Sequence, residues 1–325
     1  MNRLAALPAF GALILVAIVA FAVALSVGSV ALDIAAIMRA LFSSGDLTAQ
    51  MIVRELRLPR AVAAFATGGS LALAGALLQV LLRNPLADPY VLGVSGGAAV
   101  GALLTILAGA TGWTTPLGAF GGAFVSTIIV FVLSRSDGAW SPMRLLLTGV
   151  IVAAGWGAVV ALLLTLAPDA QLRGMLFWLI GDLAAPPIWW TTLVALALGL
   201  AVALPFAREL NALARGVVAA AALGVAVDRL PWLLFGLSAA LTAVAVTTAG
   251  AIGFIGLIVP HAVRLVLGND QRIVLPASAL AGGALLLVAD TLAREVAAPT
   301  QLPVGIVTAL IGVPAFLFLL ARERQ

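Results

Sequence analysis

The stretch RLPRAVAAFATGGSLALAGALLQVLLRNPLADPYVLGVSGGAAVGA, residues 57–102, decides how the chain folds. From Ala61 to Leu82 no residue carries a charge, and most are alanine, glycine or leucine. About 20 apolar residues cross the hydrocarbon core as a helix, so this run spans a membrane. It enters behind Arg57 and Arg60, carries a polar Gln79, and ends at Arg83. Asn84-Pro85 and Asp88-Pro89 then break the helix, and a second glycine-rich run returns from Val91. Span, tight turn and return define a polytopic all-α membrane protein.

The whole chain agrees. Of its 325 residues, 63% are hydrophobic and 9% charged, with a mean hydropathy of +1.21. Soluble domains carry roughly a quarter charged residues, so a water-soluble globule is excluded. All 17 basic residues are arginine. Without lysine the chain has no Walker A phosphate loop and no Schiff base. Without cysteine it has no disulfide, thiolate metal site or iron–sulfur cluster. The arginines lie scattered between apolar runs and form no basic stripe for nucleic acid.

Uncharged stretches predict ten membrane helices, at 9–32, 61–82, 91–109, 116–134, 144–167, 188–206, 230–250, 253–267, 273–291 and 302–321. The first apolar run is too long for a signal-peptide core and is expected to be a retained helix. The connecting segments 33–60, 167–187 and 207–229 are too short to bury a core alone, so residues 1–325 are read as one transmembrane domain. With both termini in the cytoplasm, Arg3, Arg83, Arg135, Arg144, Arg208, Arg215, Arg229, Arg264, Arg272, Arg322 and Arg324 fall inside. Arg39, Arg54, Arg57, Arg60, Arg173 and Arg294 fall outside. The excess inside sets this orientation.

Lipid supplies no hydrophobic drive between helices, so small residues that let backbones touch carry the packing. Three stripes are expected to do so: Gly93/Gly97/Gly101, Gly118/Gly122/Ser126 and Gly149/Ala153/Gly157/Ala161. The second to fifth and seventh to tenth helices could form an inverted repeat.

Two more stretches join the first: LNALARGVVAAAALGV, residues 210–225, and GAIGFIGLIVPHAVRLVLGNDQRIVLPASALAGGALLLVADTLARE, residues 250–295, with QLPVGIVTALIGVPAFLFLL following at 301–320. Together they resemble the FecCD-type permeases, the membrane subunits of ABC importers for iron chelates and vitamin B12. The resemblance covers nearly the whole chain. It implies the ten-helix type II ABC importer permease fold, a homodimer in the bacterial inner membrane, two copies of a separate ATPase on the cytoplasmic face, and a periplasmic substrate-binding protein. No cofactor is implied for this chain.

The resemblance also implies residue roles. Arg57, Arg60 and Arg294 match arginines that meet glutamates of the binding protein, and Asp290 stands four residues before Arg294, where it could pair with it. Segment 207–229 matches the coupling segment at Asn211, Leu213, Gly216, Leu223 and Gly224; Val217 and Val218 stand where many members carry acidic residues, which implies a more apolar ATPase surface. Ser141, Pro142 and Met143 occupy the cytoplasmic gate position, where Pro142 and Met143 depart from the small hydroxylated residues of the vitamin B12 importer. Thr148, Val152, Trp156 and Val159 are expected to line the path.

Two other readings compete. An ion-coupled secondary transporter would use Asp290 or His261 as its proton carrier. An intramembrane serine protease would use Ser95, within Gly93-Val94-Ser95-Gly96, with His261 as base. The cargo stays open among ferric siderophore, haem and corrinoid.

Overall fold

The computed structural model describes residues 3–28, 30–42, 46–110, 112–135, 141–183 and 189–323, without the side chains of 3–7, 320, 322 and 323. The orientation signals at Arg3, Arg322 and Arg324 therefore lie outside the described side chains. The helices are α1 (Arg3–Ser26), α2 (Ile34–Phe42), α3 (Leu47–Gln50), α4 (Leu58–Leu82), α5 (Val94–Leu107), α6 (Thr114–Ser134), α7 (Pro142–Leu166), α8 (Asp169–Ile180), α9 (Trp189–Ala203), α10 (Ala207–Ala214), α11 (Val217–Ala222), α12 (Leu230–Ala249), α13 (Ile255–Leu267), α14 (Gln271–Glu295) and α15 (Val304–Glu323).

Each of the ten expected spans coincides with a helix: α1, α4, α5, α6, α7, α9, α12, α13, α14 and α15. Among the described residues seven apolar helical segments are long enough to cross a membrane, and Val94–Leu107, Ile255–Leu267 and Val304–Leu319 are shorter apolar helices. The second span starts earlier than its charges suggested. A π-helical stretch, Met51–Arg57, joins α3 to α4, so Leu47–Leu82 is one continuous 36-residue segment. Arg54, inside that stretch, donates from Nε to the Ala40 carbonyl at 2.7 Å and so spends its charge on the end of α2.

Helix ends follow local chemistry. Asp46 accepts from the Thr48 amide, Ser141 from the Arg144 amide and Asp270 from the Arg272 amide, each capping a first turn. Arg83 ends α4 in the left-handed region at φ 50°.

At the centre of the bundle stands α4, with 20 of its 25 residues buried. It packs on α14, α12, α9 and α13. These approaches require glycine. A methyl group at Gly68 would strike the Gly282 carbonyl of α14, and one at Gly75 the Gly256 carbonyl of α13. The first two predicted stripes meet each other: Gly97 lies against Gly122, and Gly101 against Gly118. Ser126 completes the contact by donating to the Gly93 carbonyl at 2.8 Å.

The third stripe departs from expectation. Gly149 approaches the Val91 carbonyl, but Gly157 has nothing within 4 Å and Ala161 is exposed. The reason is position: α7 packs mainly on α5, α6 and the 3-10 turn Pro89–Leu92, and only Leu145, Gly149 and Leu163 are buried in it.

The two glycine classes should separate experimentally. Gly75→Ala or Gly101→Ala is expected to lower stability by about 1–3 kcal/mol, the usual cost of overpacking, read as a lower melting temperature in detergent. Gly157→Ala, in open space, should melt like the wild type.

Candidate functional site

Polar groups gather at the two ends of α4. At its N-terminal end Arg57 reaches the last turn of α1. Its NH1 donates to the carbonyls of Leu25 at 2.6 Å and Ser26 at 3.1 Å, and NH2 donates to Val30. Those carbonyls have no intrahelical donor, so the guanidinium acts as a C-terminal cap. Gly28 leaves room for it, since a side chain there would begin 2.9 Å from Arg57 NH2.

Three residues on, Arg60 forks onto Asp290 of α14, with Nε at 3.0 Å from Oδ2 and NH2 at 2.9 Å from Oδ1. Its NH1 donates to Gln301 Oε1 at 2.8 Å. Arg294 Nε stands 3.5 Å from Asp290 Oδ2, and its NH2 donates to the Ala24 carbonyl at 3.2 Å. Asp290 is 1% exposed. The expected Asp290–Arg294 pair is present, and Arg60 is the stronger partner. One buried carboxylate thus binds α4 to α14 through Arg60, and Arg294 beside it also holds the end of α1.

Arg57, Arg60 and Arg294, the three expected docking residues, are therefore brought together. They do not stand out from the surface: Arg57 is 6% and Arg60 8% exposed. The physical cause is the set of carbonyls and the carboxylate beside them, which would otherwise be buried without donors. Gln301 was not among the expected residues; as a lone polar residue after the Pro299 turn it carried no pattern.

At the opposite end lies segment 207–229. Asn211 donates from Nδ2 to Asp270 Oδ1 at 2.8 Å, and its Oδ1 accepts from the Gln271 amide at 2.8 Å. This rivets α10 to the start of α14. Leu213 is buried beneath it. Gly216, at φ 122°, turns the chain from α10 into α11, and Gly224, at φ 79°, turns it out again. The five expected residues thus divide into an anchor, a core contact, two turns and one exposed apolar group, Leu223, at 69% exposure. Val218, singled out for departing from the acidic pattern, is 86% exposed beside it.

The third group sits on α7. Ser141 is its N-cap and Pro142 its first residue, while Met143 is exposed. Thr148 is half-buried. Val152 lies against Gly93. Trp156 stacks over Gly96 and donates its indole N–H to Ser126 Oγ at 2.9 Å. Val159 packs with Val100, Leu103, Leu163 and Met175. Val152, Trp156 and Val159 therefore face α5 and α6, and the open face of α7 is Leu147, Val150, Ile151 and Gly157. The indole N–H explains the turn of the helix, because a buried donor needs an acceptor and Ser126 supplies it. An apolar groove of about 420 Å³ opens beside Val150 and Ala153, walled by Asp88, Tyr90 and Phe254. Phe254, at φ 70°, was missed, because nothing in its sequence marks a left-handed residue.

The competing readings lose their residues. The Asp290 carboxylate is engaged by two guanidiniums. Ser95 stands on α5, which packs on α6, α7 and α12, whereas His261 stands on α13, which packs on α4, α14 and α15. Among the described residues no three His, Cys, Asp or Glu side chains group as a metal site.

A helical bundle crossing the membrane many times, with one rigid clamp and one exposed apolar knob at its opposite ends, is a transport permease in architecture. The chain belongs to the FecCD transport family, which it matches over residues 14–322. It is 48% identical over 282 residues to the cobalamin import system permease protein BtuC of Halobacterium salinarum, covering 86% of this chain and 75% of that protein. It is 43% identical over 283 residues to the hemin transport system permease protein HmuU of Yersinia pestis, covering 83% of each. Among solved structures it superposes on a metal-chelate type ABC transporter in an inward-facing conformation. There the TM-score is 0.87 at 32% identity, over 96% of this chain and 98% of the other. PsaBC from Streptococcus pneumoniae, at 18% identity and a TM-score of 0.55 over 88% of this chain and 95% of that one, shares the fold alone.

The clamp makes a stability prediction. Asp290→Asn should leave Arg60 and Arg294 buried without their counter-charge, at a cost on the order of 3–5 kcal/mol. The double change Arg60→Met with Asp290→Leu should recover part of that loss. Melting curves of the three proteins in detergent decide it; equal melting of Asp290→Asn and wild type would show the clamp to be idle.

Proposed function

We propose that this chain is the permease subunit of a binding-protein-dependent ABC importer that carries an iron chelate or a corrinoid into the cytoplasm. The observation that carries this reading is the apolar tip of α11. Val218 and Leu223 project outside the spans, where an uncovered apolar side chain gains nothing from water. Asn211 fastens the same segment to α14. A protein pushing on the tip would therefore move a spanning helix directly. A separate ATPase is the natural occupant, since this chain has no lysine for a phosphate loop of its own.

The exposed apolar faces of α7 and α15, with Leu147, Ile151, Leu310 and Leu317, suit a second copy packed across a shared path. Met143 would stand at its cytoplasmic mouth beside Ser141 and Pro142. At the outer end, Arg57, Arg60 and Arg294 face the carboxylates of Asp290 and Glu295, which leaves one positive charge in excess to steer an acidic binding protein. The inner membrane, with the coupling segment facing the cytoplasm, is the setting this arrangement requires. Relatives that import haem, cobalamin and ferric dicitrate define the cargo class.

Val218→Asp with Leu223→Asp is expected to weaken ATPase binding by roughly 2 kcal/mol, about 30-fold, with the melting temperature unchanged. Co-purification with the ATPase and ATP-driven uptake in vesicles measure this. Concentration of a metal chelate by vesicles holding this chain alone would refute the proposal. Arg294→Glu should reduce capture of the binding protein by immobilised permease, and reduce it less at high salt.

A further inference from the structure

The coupling end of the bundle contains a polar cavity of about 620 Å³ that none of the roles above uses. It lies between the end of α4, the α10–α11 segment, the end of α13 and the start of α14. Arg83, Arg215 and Arg264 all line it, each from a different element. Among the described residues lining it, Asp270 is the one carboxylate.

The charges do not cancel. Asp270 Oδ1 accepts from Asn211 Nδ2 and from the Arg272 amide, so that oxygen is committed to capping α14 and anchoring the coupling segment. Among the described residues, no ion pair joins an acid to Arg83, Arg215 or Arg264. Arg264 donates to the side-chain oxygen of Gln79 and to the Ala76 carbonyl, both neutral, and a guanidinium has further N–H groups to give. Arg83 reaches across from α4 until its NH1 lies 3.9 Å from where a side chain on Gly216 would begin.

Three guanidiniums converging from three elements, with one engaged carboxylate among them, ask for an anion with acceptors in several directions. A carboxylate is planar and is satisfied by one fork; a phosphate group offers tetrahedrally disposed oxygens and accepts from several arginines at once. The elements that bear Arg83 and Arg264 end here, where the apolar spans give way to the connecting segments, and basic pockets between membrane helices on this side take phospholipid headgroups. We propose that this cavity is a binding site for a phosphate-bearing anion, held by Arg83, Arg215 and Arg264. Its occupant would bridge the coupling segment to α4 and α13, the elements that α10 must move.

The test uses the full-length permease purified in a non-ionic detergent, alone and with its ATPase. Binding of dihexanoyl phosphatidylglycerol, dihexanoyl phosphatidylcholine and inorganic phosphate is measured by calorimetry. A phosphate-bearing probe is expected to bind the wild type, and Arg83→Gln with Arg215→Gln to weaken it about tenfold or more while melting stays the same. Arg264→Gln, which also loses the Gln79 contact, serves as the second variant and should weaken binding at least as much. Binding of phosphatidylglycerol that inorganic phosphate does not displace identifies a lipid headgroup. Displacement by millimolar phosphate identifies a free phosphate ester. The proposal is overturned if no phosphate-bearing probe binds, if both variants bind as the wild type does, or if acetate competes as well as phosphate.

Discussion

Everything in this bundle depends on how closely one helix lets its neighbours approach. In lipid the apolar surfaces of helices gain nothing by leaving one solvent for another, so attraction must come from contact. The centre of α4 supplies it by omission: Gly68 and Gly75 have no side chain where α14 and α13 press in. A second such seam runs between α5 and α6 at Gly97, Gly101, Gly118 and Gly122. Large apolar side chains such as Leu15, Phe124, Ile151 and Leu317 face outward, and a chain that is 63% hydrophobic presents the apolar surface the bilayer demands.

The same helix organises the charges. At one end Asp290 gives Arg60 and Arg294 a counter-ion, and Arg57 closes α1. The result is a rim in which the Asp290 carboxylate and the carbonyls at the end of α1 take up most of the guanidinium donors. At the other end Arg264 rests on neutral oxygens, and Arg83 and Arg215 line the polar cavity beside it. One end is complete as it stands; the other has unspent donors and an exposed apolar tip, and both features invite another molecule.

Between the two ends, α7 packs along one edge only. Its contacts reach only α5, α6 and the turn at Pro89–Leu92 in any depth, and Trp156 pins it through a single hydrogen bond to Ser126. The left-handed Phe254 beside its groove marks a point where the backbone holds an uncommon conformation, of the kind that persists only when its surroundings impose it.

The amino-acid sequence alone determined the solvent and the architecture. Long uncharged runs must be helices in a bilayer because every backbone group has to be bonded within its own segment, and the ten spans were legible for that reason. Glycine spacing foretold the α5–α6 seam, and the i, i+4 spacing of Asp290 and Arg294 foretold their pairing. What the sequence could not determine was direction. Whether Arg60 looks outward or onto Asp290 depends on a residue 230 positions away. Whether Val152 and Trp156 face a path or a neighbour depends on where Ser126 puts its hydroxyl. Only the tertiary structure decided these, because buried donors and acceptors turn each side chain toward partners that local periodicity does not record.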